Sequence, residues 1–382
     1  MNPSDFMPNA PGRFVPTING AKAFVPAPLP PIIDMNEVAE SMAEAILAIG
    51  ELKGACRRLR DPSILIGPLQ RREALTSSAM EGTFSTQDAV VLAERGIERV
   101  DDDATREVRN YIRALNDATQ SLKSLPICHR VLTDAHRTLL SGVSHHRGAQ
   151  KRPGEYKPDQ NWIGGRTIET ARFVPPPPDE AVRCMDDLER YLNRDGRKYP
   201  LVDIALVHYQ FETIHPFMDG NGRVGRMLIS LMAIESGLLE MPVLYISPVL
   251  EHRKDDYIDL MFNVSAQGAW YPWLNFFFAR ASESCRETIA TIDRLIKLQD
   301  EYRATTASAT RSAGALTLVD YLFEQPMISV NDAKDVLGVT YPAARRTIDR
   351  LAEHGILEEY PGMYPTLFLA RGILEAADPT DA

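Results

Sequence analysis

The chain has 382 residues, of which 44% are hydrophobic and 25% charged, and a formal net charge of −10. That size and balance fit a soluble globular protein of two or three domains with a sizeable core, and the acidic charge argues against a surface built generally for polyanions. No apolar run reaches the roughly 18 residues of a membrane span, Asp5 and prolines stand where a leader would need basic and then apolar residues, and Cys56, Cys128, Cys184 and Cys285 occur singly, so a cytoplasmic protein with reduced thiols and no zinc site is expected.

Residues 1 to about 33, ending in Phe24-Val-Pro-Ala-Pro-Leu-Pro-Pro31, are too rich in proline for regular structure and are expected to run extended along the surface. Residues 34 to about 124 read as helical, most clearly over Glu37 to Arg58 and Arg71 to Met80. Within them Leu69-Gln-Arg-Arg-Glu-Ala-Leu-Thr-Ser-Ser-Ala-Met-Glu81-Gly82 sets Ser77 and Glu81 four apart on one helix face, with Gly82 as the stop. By itself Glu81 reads as a solvated helix glutamate. Farther on, Pro153-Gly-Glu-Tyr-Lys-Pro-Asp-Gln-Asn-Trp-Ile-Gly-Gly165 and Phe173-Val-Pro-Pro-Pro-Pro178 mix apolar residues with glycine, lysine and proline. They suggest a short exposed hairpin rather than core strands.

Asp203 to Ile214 carries Ile204, Val207, Phe211 and Ile214 at helical spacing and ends before Pro216, and Arg223 to Ser236 reads as a second, strongly apolar core helix. Between and into them runs His215-Pro-Phe-Met-Asp-Gly-Asn-Gly-Arg-Val-Gly-Arg226. Gly220-Asn221-Gly222 can adopt positive φ and turn successive N–H groups inward, an anion nest at a helix N-terminus. Arg223 and Arg226 lie one turn apart in that first stretch of helix, where each opposes the macrodipole by up to about 1 kcal/mol, so a compensating anion is required. A polyphosphate supplies it. Asp219 then suits a ligand to Mg²⁺ bridging phosphate oxygens, and His215, four residues earlier, can take the proton of an attacking hydroxyl. The combination is a phosphate-handling site.

Downstream, Asp255-Asp-Tyr257-Ile-Asp-Leu reads as a helix, and Trp270-Tyr-Pro-Trp273-Leu-Asn-Phe-Phe-Phe278 as an aromatic cluster in which Trp273 and Phe276 to Phe278 are core. Arg286 to Arg303 is an amphipathic helix, and Ala304-Thr-Thr-Ala-Ser-Ala-Thr-Arg-Ser312 a small polar linker. From Ala313 a separate domain is expected: helices over Leu316 to Phe323, Ser329 to Gly338 and Pro342 to His354, the last with Ala344, Ile348 and Leu351 on one face, then strands over Ile356-Leu-Glu-Glu-Tyr and Thr366-Leu-Phe-Leu-Ala.

The twelve-residue string resembles, without a departure, the signature H-P-F-x-[DE]-G-N-G-R-x-x-R of the Fic (filamentation induced by cAMP) family. The resemblance extends through Ala205, His208, Phe211, Glu212 and Ile214, and over about residues 30 to 280. It implies transfer of AMP from ATP, with Mg²⁺, to a Ser, Thr or Tyr hydroxyl of a protein. In that scheme His215 is the general base and Asp219 holds the metal. Asn221 and Gly222 bind the α-phosphate in the anion hole, Gly220 is a further nucleotide-binding residue, and Arg223 and Arg226 steady the outer phosphates. Tyr257 faces the adenosine pocket. The segment around Ser77, Glu81 and Gly82 resembles the family's inhibitory [ST]-x-x-x-E-[GN] motif, so Glu81 would pair with Arg226 as an intramolecular brake, and the same glutamate could orient water for removal of AMP. The segment from Pro153 resembles the family's flap, which would put Ile163, Gly164, Gly165 and Arg166 near the nucleotide and offer an edge to a target protein, this chain itself included.

The C-terminal order of helices and strands resembles a winged helix-turn-helix, with Arg345, Arg346 and Arg350 on the candidate recognition helix and a DNA or protein partner implied. The expected fold is thus mainly α: an extended segment over 1–33, a helical region with the inhibitory helix over 34–124, a Fic-type core with a small β-hairpin flap over 125–280, a helix and linker over 281–312, and a winged helix domain over 313–375. The function expected is a self-inhibited protein adenylyltransferase using ATP and Mg²⁺, with net AMP removal or a nucleotide-sensing DNA-binding regulator as alternatives. The family resemblance also allows a homodimer.

Overall fold

The computed structural model describes residues 1–18, 20–59, 62–97, 102–143, 152–309 and 313–378. It opens with two antiparallel strands, β1 (Gly12–Pro16) and β2 (Lys22–Pro26), with Phe14 opposite Phe24. The segment expected to lack regular structure is therefore a hairpin, and its Ala23, Phe24 and Val25 are buried. Pro16 and Pro26 close the strands at their ends, where a missing N–H is tolerated. The apolar residues between the prolines build an aromatic cluster: Phe6 lies 4.9 Å from Phe14 and 5.2 Å from Phe24, and Phe24 lies 5.9 Å from Phe173.

A helical body follows, consisting of α1 (Ala39–Arg57), α2 (Pro62–Ala79), α3 (Gln87–Glu94), α4 (Asp103–Ser121), α5 (His129–Leu139), α6 (Pro178–Leu192), α7 (Pro200–Ile214), α8 (Asn221–Glu235), α9 (Ser247–Glu251), α10 (Lys254–Gln267) and α11 (Trp270–Ala309). The outer helices are amphipathic: α4 buries Val108, Tyr111, Leu115 and Ala118, spaced three and four apart, and Asp102 caps it by accepting from the Thr105 N–H at 2.7 Å. By contrast α7 and α8 are buried on every face, which makes them the central pair. Pro200 sits at the start of α7, where its fixed φ suits a helix and no N–H is missed.

Helix α11 runs unbroken for 40 residues, across residue 280 and on through Ala304–Ala309, which the composition suggested was linker. Alanine is the best helix former, and Thr306 is buried, so packing and propensity agree on helix there. Residues 310–312 of the expected linker lie outside the described residues. The flap hairpin shrinks to a single bridge in which Ile163 and Phe173 exchange backbone hydrogen bonds of 2.9 and 3.1 Å. Glycines at 164 and 165 in positive φ, and the prolines from 175, end the pairing on either side.

The C-terminal part contains α12 (Ala313–Glu324), β3 (Met327–Ser329), α13 (Val330–Leu337), α14 (Tyr341–Glu353), β4 (Glu358–Tyr360), β5 (Leu367–Leu369) and α15 (Arg371–Ala377). Its sheet has the order β3-β5-β4, all antiparallel, and β3 and α15 were not foreseen. Three residues are too few for a strand pattern to register, and β3 exists because Met327 and Ile328 meet Leu369 and Phe368 across the sheet. This part is fastened to the rest: Val91 and Leu92 of α3 share an apolar cluster with Met327, Leu367, Leu369 and Leu374. Arg71 of α2, itself buried, donates to the Glu324 carbonyl at 3.1 Å. Among the described residues no helix is long and apolar enough to cross a membrane.

Candidate active site

Helix α7 ends at His215, which adopts the left-handed conformation (φ 49°, ψ 60°) and donates its backbone N–H to the Phe211 carbonyl at 2.9 Å. A non-glycine residue in that region is uncommon and persists where its surroundings hold it. Here they do. Asn161 donates to the His215 carbonyl at 3.1 Å and to the Phe217 carbonyl at 2.8 Å, and buried Lys157 donates to Asn161 Oδ1 at 2.7 Å and to the Ile214 carbonyl at 3.3 Å. His136 of α5 stacks on Phe217 at 3.9 Å, accepts from the Gly154 N–H at 2.9 Å, and so has Nε2–H free to donate to the Asp219 carbonyl at 3.0 Å.

The His215 ring is fixed by Nδ1, which donates to the Glu212 carbonyl at 3.3 Å. That tautomer leaves Nε2 as a proton acceptor. Burial, with the Lys157 charge, lowers the imidazole to about 4 against the pull of Glu81 and Asp219, so the ring is neutral at pH 7.

Gly220 (φ 74°) then starts α8 in the left-handed conformation, and the N–H groups of Asn221, Gly222 and Arg223 form the first turn, without acceptors inside the helix. Asn221 braces this turn: its side chain accepts from the Phe217 N–H and donates to the Phe217 carbonyl, both at 2.8 Å. It therefore shapes the nest with its amide rather than reaching a ligand with it. Asp219 accepts from the Gly220 N–H at 2.7 Å and lies 3.6 Å from Arg223. Among the described residues no three His, Cys, Asp or Glu gather as a metal cage.

The two arginines part company. Arg223 is 1% exposed, pairs with buried Glu107 of α4 and does not line the cavity, although it lies 3.6 Å from Asp219. Arg226 turns toward α2. Its Nε donates to Ser77 Oγ at 2.8 Å, and its Nη2 to the Ser77 carbonyl at 2.7 Å and to Glu81 at 2.9 Å. Glu81 sits in the turn after α2, just before Gly82 at φ 76°. Its carboxylate covers the start of α8 so closely that a Cβ on Gly222 would overlap it. Burial works to raise the Glu81 carboxyl, but the Arg226 charge and hydrogen bond, with help from Arg223, hold it below the usual range. The buried Arg226 guanidinium is correspondingly raised, its burial outweighed by Glu81.

These groups border a cavity of about 180 Å³. His215, Gly222, Arg226 and Glu81 line one part, and Tyr257, Met261, Phe262, Ile163 and Phe173 supply apolar walls. Tyr257 is buried, its hydroxyl 2.9 Å from His208 Nε2. Ile163 lines the cavity, whereas Gly164, Gly165 and Arg166 are exposed and do not line it. The turn from positive-φ Gly164 carries them away from it, and Arg172 and Phe173, on the returning side of the bridge, take their place. On α14, Arg345 is tied to Asp349 at 2.8 Å and lies over the Phe368 ring, which leaves less of a basic face than the sequence suggested. Sequence reasoning missed the roles of Lys157, Asn161, His136 and Glu107, each of which reaches a partner in the segment from Ile214 to Arg223 that is more than 50 residues away and leaves no local pattern.

Two family models match the chain, one described as Fic/DOC family N-terminal over residues 39–120 and one as Fic/DOC family over residues 126–233. Among curated proteins, the protein adenylyltransferase Fic of Drosophila melanogaster is 27% identical over 207 residues, covering 53% of this chain and 38% of that protein. The corresponding protein of Drosophila persimilis is 26% identical over 204 residues, covering 52% and 37%. The chain thus spans well under half the length of these relatives. Among solved structures, a Fic family protein from Desulfovibrio desulfuricans G20 superposes with a TM-score of 0.56 at 21% identity, covering 90% of this chain and 98% of that one. Fic-1 from C. elegans gives 0.52 at 18% identity, covering 68% and 75%. Both show a likeness of fold.

Proposed function

This chain is a Fic family protein, and from that premise we propose that it is a protein adenylyltransferase, moving AMP from ATP to a Ser, Thr or Tyr hydroxyl of a protein and held back by Glu81 paired with Arg226. The observation that carries the reading is His215: a neutral imidazole with Nδ1 anchored, bordering the same cavity as the first turn of α8. In this scheme the target hydroxyl gives its proton to His215 Nε2 as its oxygen attacks the α-phosphorus. The bond to the bridging oxygen breaks, and pyrophosphate leaves with the electron pair. The N–H groups of α8 receive the negative charge on the phosphoryl oxygens, and Arg226 the outer phosphates. Mg²⁺ would screen the charge of the leaving group. Asp219 fits as its protein ligand, since a single carboxylate with phosphate oxygens and water is the set that ion prefers. The exposed edge beyond Ile163 is proposed to receive the target segment by strand addition.

Glu81 blocks this chemistry by occupying both things an incoming polyphosphate needs, the Arg226 guanidinium and the space above Gly222. A cavity of about 180 Å³ is small beside the roughly 300–1,000 Å³ of small-molecule sites, and withdrawal of Glu81 would enlarge it. The same carboxylate, poised over the anion site, favours a second reading in which it orients water for net removal of AMP.

The test is incorporation of label from α-³²P-ATP into protein, comparing the wild-type chain, Glu81→Gly and Glu81→Gly/His215→Ala. Label should rise at least tenfold with Glu81→Gly and vanish in the double variant. Transfer by Glu81→Gly no greater than wild type would remove the brake, and undiminished transfer by the double variant would remove the general base. No label in any variant, with ATP still bound, would favour AMP removal or a nucleotide-sensing regulator.

A further inference from the structure

The reaction drawn above leaves one carboxyl of the cavity without a part. Glu212, in the last turn of α7, is 8% exposed and lines the cavity beside Arg226, yet its Oε1 accepts no hydrogen bond. A buried carboxyl oxygen left unpaired costs about 1–3 kcal/mol, so it is kept for a reason. Room is made for it on the facing helix, because a Cβ at Gly225 would overlap the Glu212 carboxyl. The titratable and charged groups that share the cavity with it are Arg226 on α8, Glu81 in the turn after α2, Tyr257 and Lys254 on α10, Arg172 beside the bridge and, just past the end of its own helix, His215. Burial raises the Glu212 carboxyl to about 8, with Arg226 pulling it down and Glu81 pushing it up.

We propose that Glu212 is a further ligand-contacting residue: its neutral carboxyl donates a hydrogen bond to an oxygen of the phosphate group held at Arg226, and its ionised carboxylate takes that arginine for itself. The proposal rests on the function above in naming an ATP phosphate as the ligand. Two carboxylates and one guanidinium share this corner. While Glu81 is the counter-ion of Arg226, Glu212 keeps its proton. When Glu81 withdraws, Arg226 draws Glu212 toward ionisation, and an arriving polyphosphate anion, standing where Glu81 stood, drives the proton back on. Binding is therefore coupled to proton uptake, and affinity falls as pH rises through the interval between the free and bound pKa values. At still higher pH Glu212 acts as a second counter-ion to the arginine.

The experiment measures ATP binding by calorimetry from pH 6.5 to 9 for Glu81→Gly and for Glu81→Gly/Glu212→Gln. Glutamine keeps a donor and cannot ionise. The Kd of the first chain should rise about tenfold over this range and that of the second less than twofold. His215 titrates near pH 4, below the window; Lys157 and Glu73, near 7, lie off the cavity and are common to both chains. Equal pH dependence in the two chains would overturn the proposal. Should the glutamine variant not fold, proton uptake by the Glu81→Gly chain at pH 8, measured in buffers of different ionisation enthalpy, decides instead, and no uptake overturns it. Transfer is scored separately. The expected binding behaviour without any labelled protein would sink the adenylyltransferase reading and leave the role of Glu212 standing, and labelling with no Glu212 effect on binding would do the reverse.

Discussion

Arg223 and Arg226 are one turn apart in α8 and are both buried, yet they serve different ends. Arg223 closes an ion pair with Glu107, 1% and 4% exposed, and so ties the start of α8 to α4. Arg226 faces the cavity and is contested by Ser77 and Glu81. Truncating one member of a buried pair strands the other charge, so Arg223→Ala should cost about 3–5 kcal/mol of stability, read as a lowered denaturant midpoint. A variant of wild-type midpoint with weakened ATP binding would instead return Arg223 to the phosphate-steadying role that its sequence position suggested. The left-handed start of α8 at Gly220 was legible, because glycine's tolerance of positive φ is a property of one residue, while Gly222 is helical. That Arg223 turns to Glu107 and Arg226 to Glu81 was not.

At the scale of elements, the N-terminal hairpin is a support for the flap. Phe24 is fully buried, donates its backbone N–H to the Val174 carbonyl at 2.9 Å, and touches Phe173, which lines the cavity. Phe24→Ala should cost about 3–5 kcal/mol and, in a Glu81→Gly background, raise KM for ATP several-fold while changing kcat less. Unaltered KM in a destabilised chain would make the hairpin a purely structural brace. Helix α2 is pinned in a different way: buried Glu73 accepts from the Tyr111 hydroxyl at 3.0 Å and from the Ser247 N–H at 3.1 Å, fixing the helix that ends in the Glu81 turn to α4 and α9. The helical nature of this region could be read from its periodicity. Its anchoring could not, since Glu73 and Ser247 are 174 residues apart.

For the whole molecule, the buried titratable groups set the pH at which it is most stable. Unfolded, His136, His208 and His215 take up protons near pH 6.5; folded, burial delays this to about 4, 3 and 4. Between those values the unfolded chain binds more protons, so each imidazole costs stability as pH falls, on the order of 3–5 kcal/mol once the interval is crossed. Glu73 and Glu212, raised by burial to about 7 and 8, act in the opposite sense down to their unfolded values near 4.5. Buried Lys157, lowered from its ordinary 10.5 to about 7, costs stability as pH falls across that interval and offsets Glu212 there. Below pH 7 the two carboxyls prevail and stability grows, below 6.5 three imidazoles outnumber them, and below 4.5 these two carboxyls no longer oppose the imidazoles. The melting temperature should therefore peak near pH 6.5 and drop most steeply below 4.5, and a level profile from 6.5 to 4 would refute this assignment. By itself the sequence determined what depends on near neighbours: the main helices from the spacing of apolar residues, the glycine nest, the ends of α7 and α13, and the chemistry available to the loop from His215 to Arg226. Tertiary structure alone decided that Glu81 lies over Gly222, that Arg223 faces Glu107, that Lys157 and Asn161 hold the His215 loop, and that a proline-rich arm is a hairpin with one strand buried. Each of these depends on which distant surfaces pack together, and that is settled by burial and hydrogen bonding across the whole chain rather than by the order of residues along any one part of it.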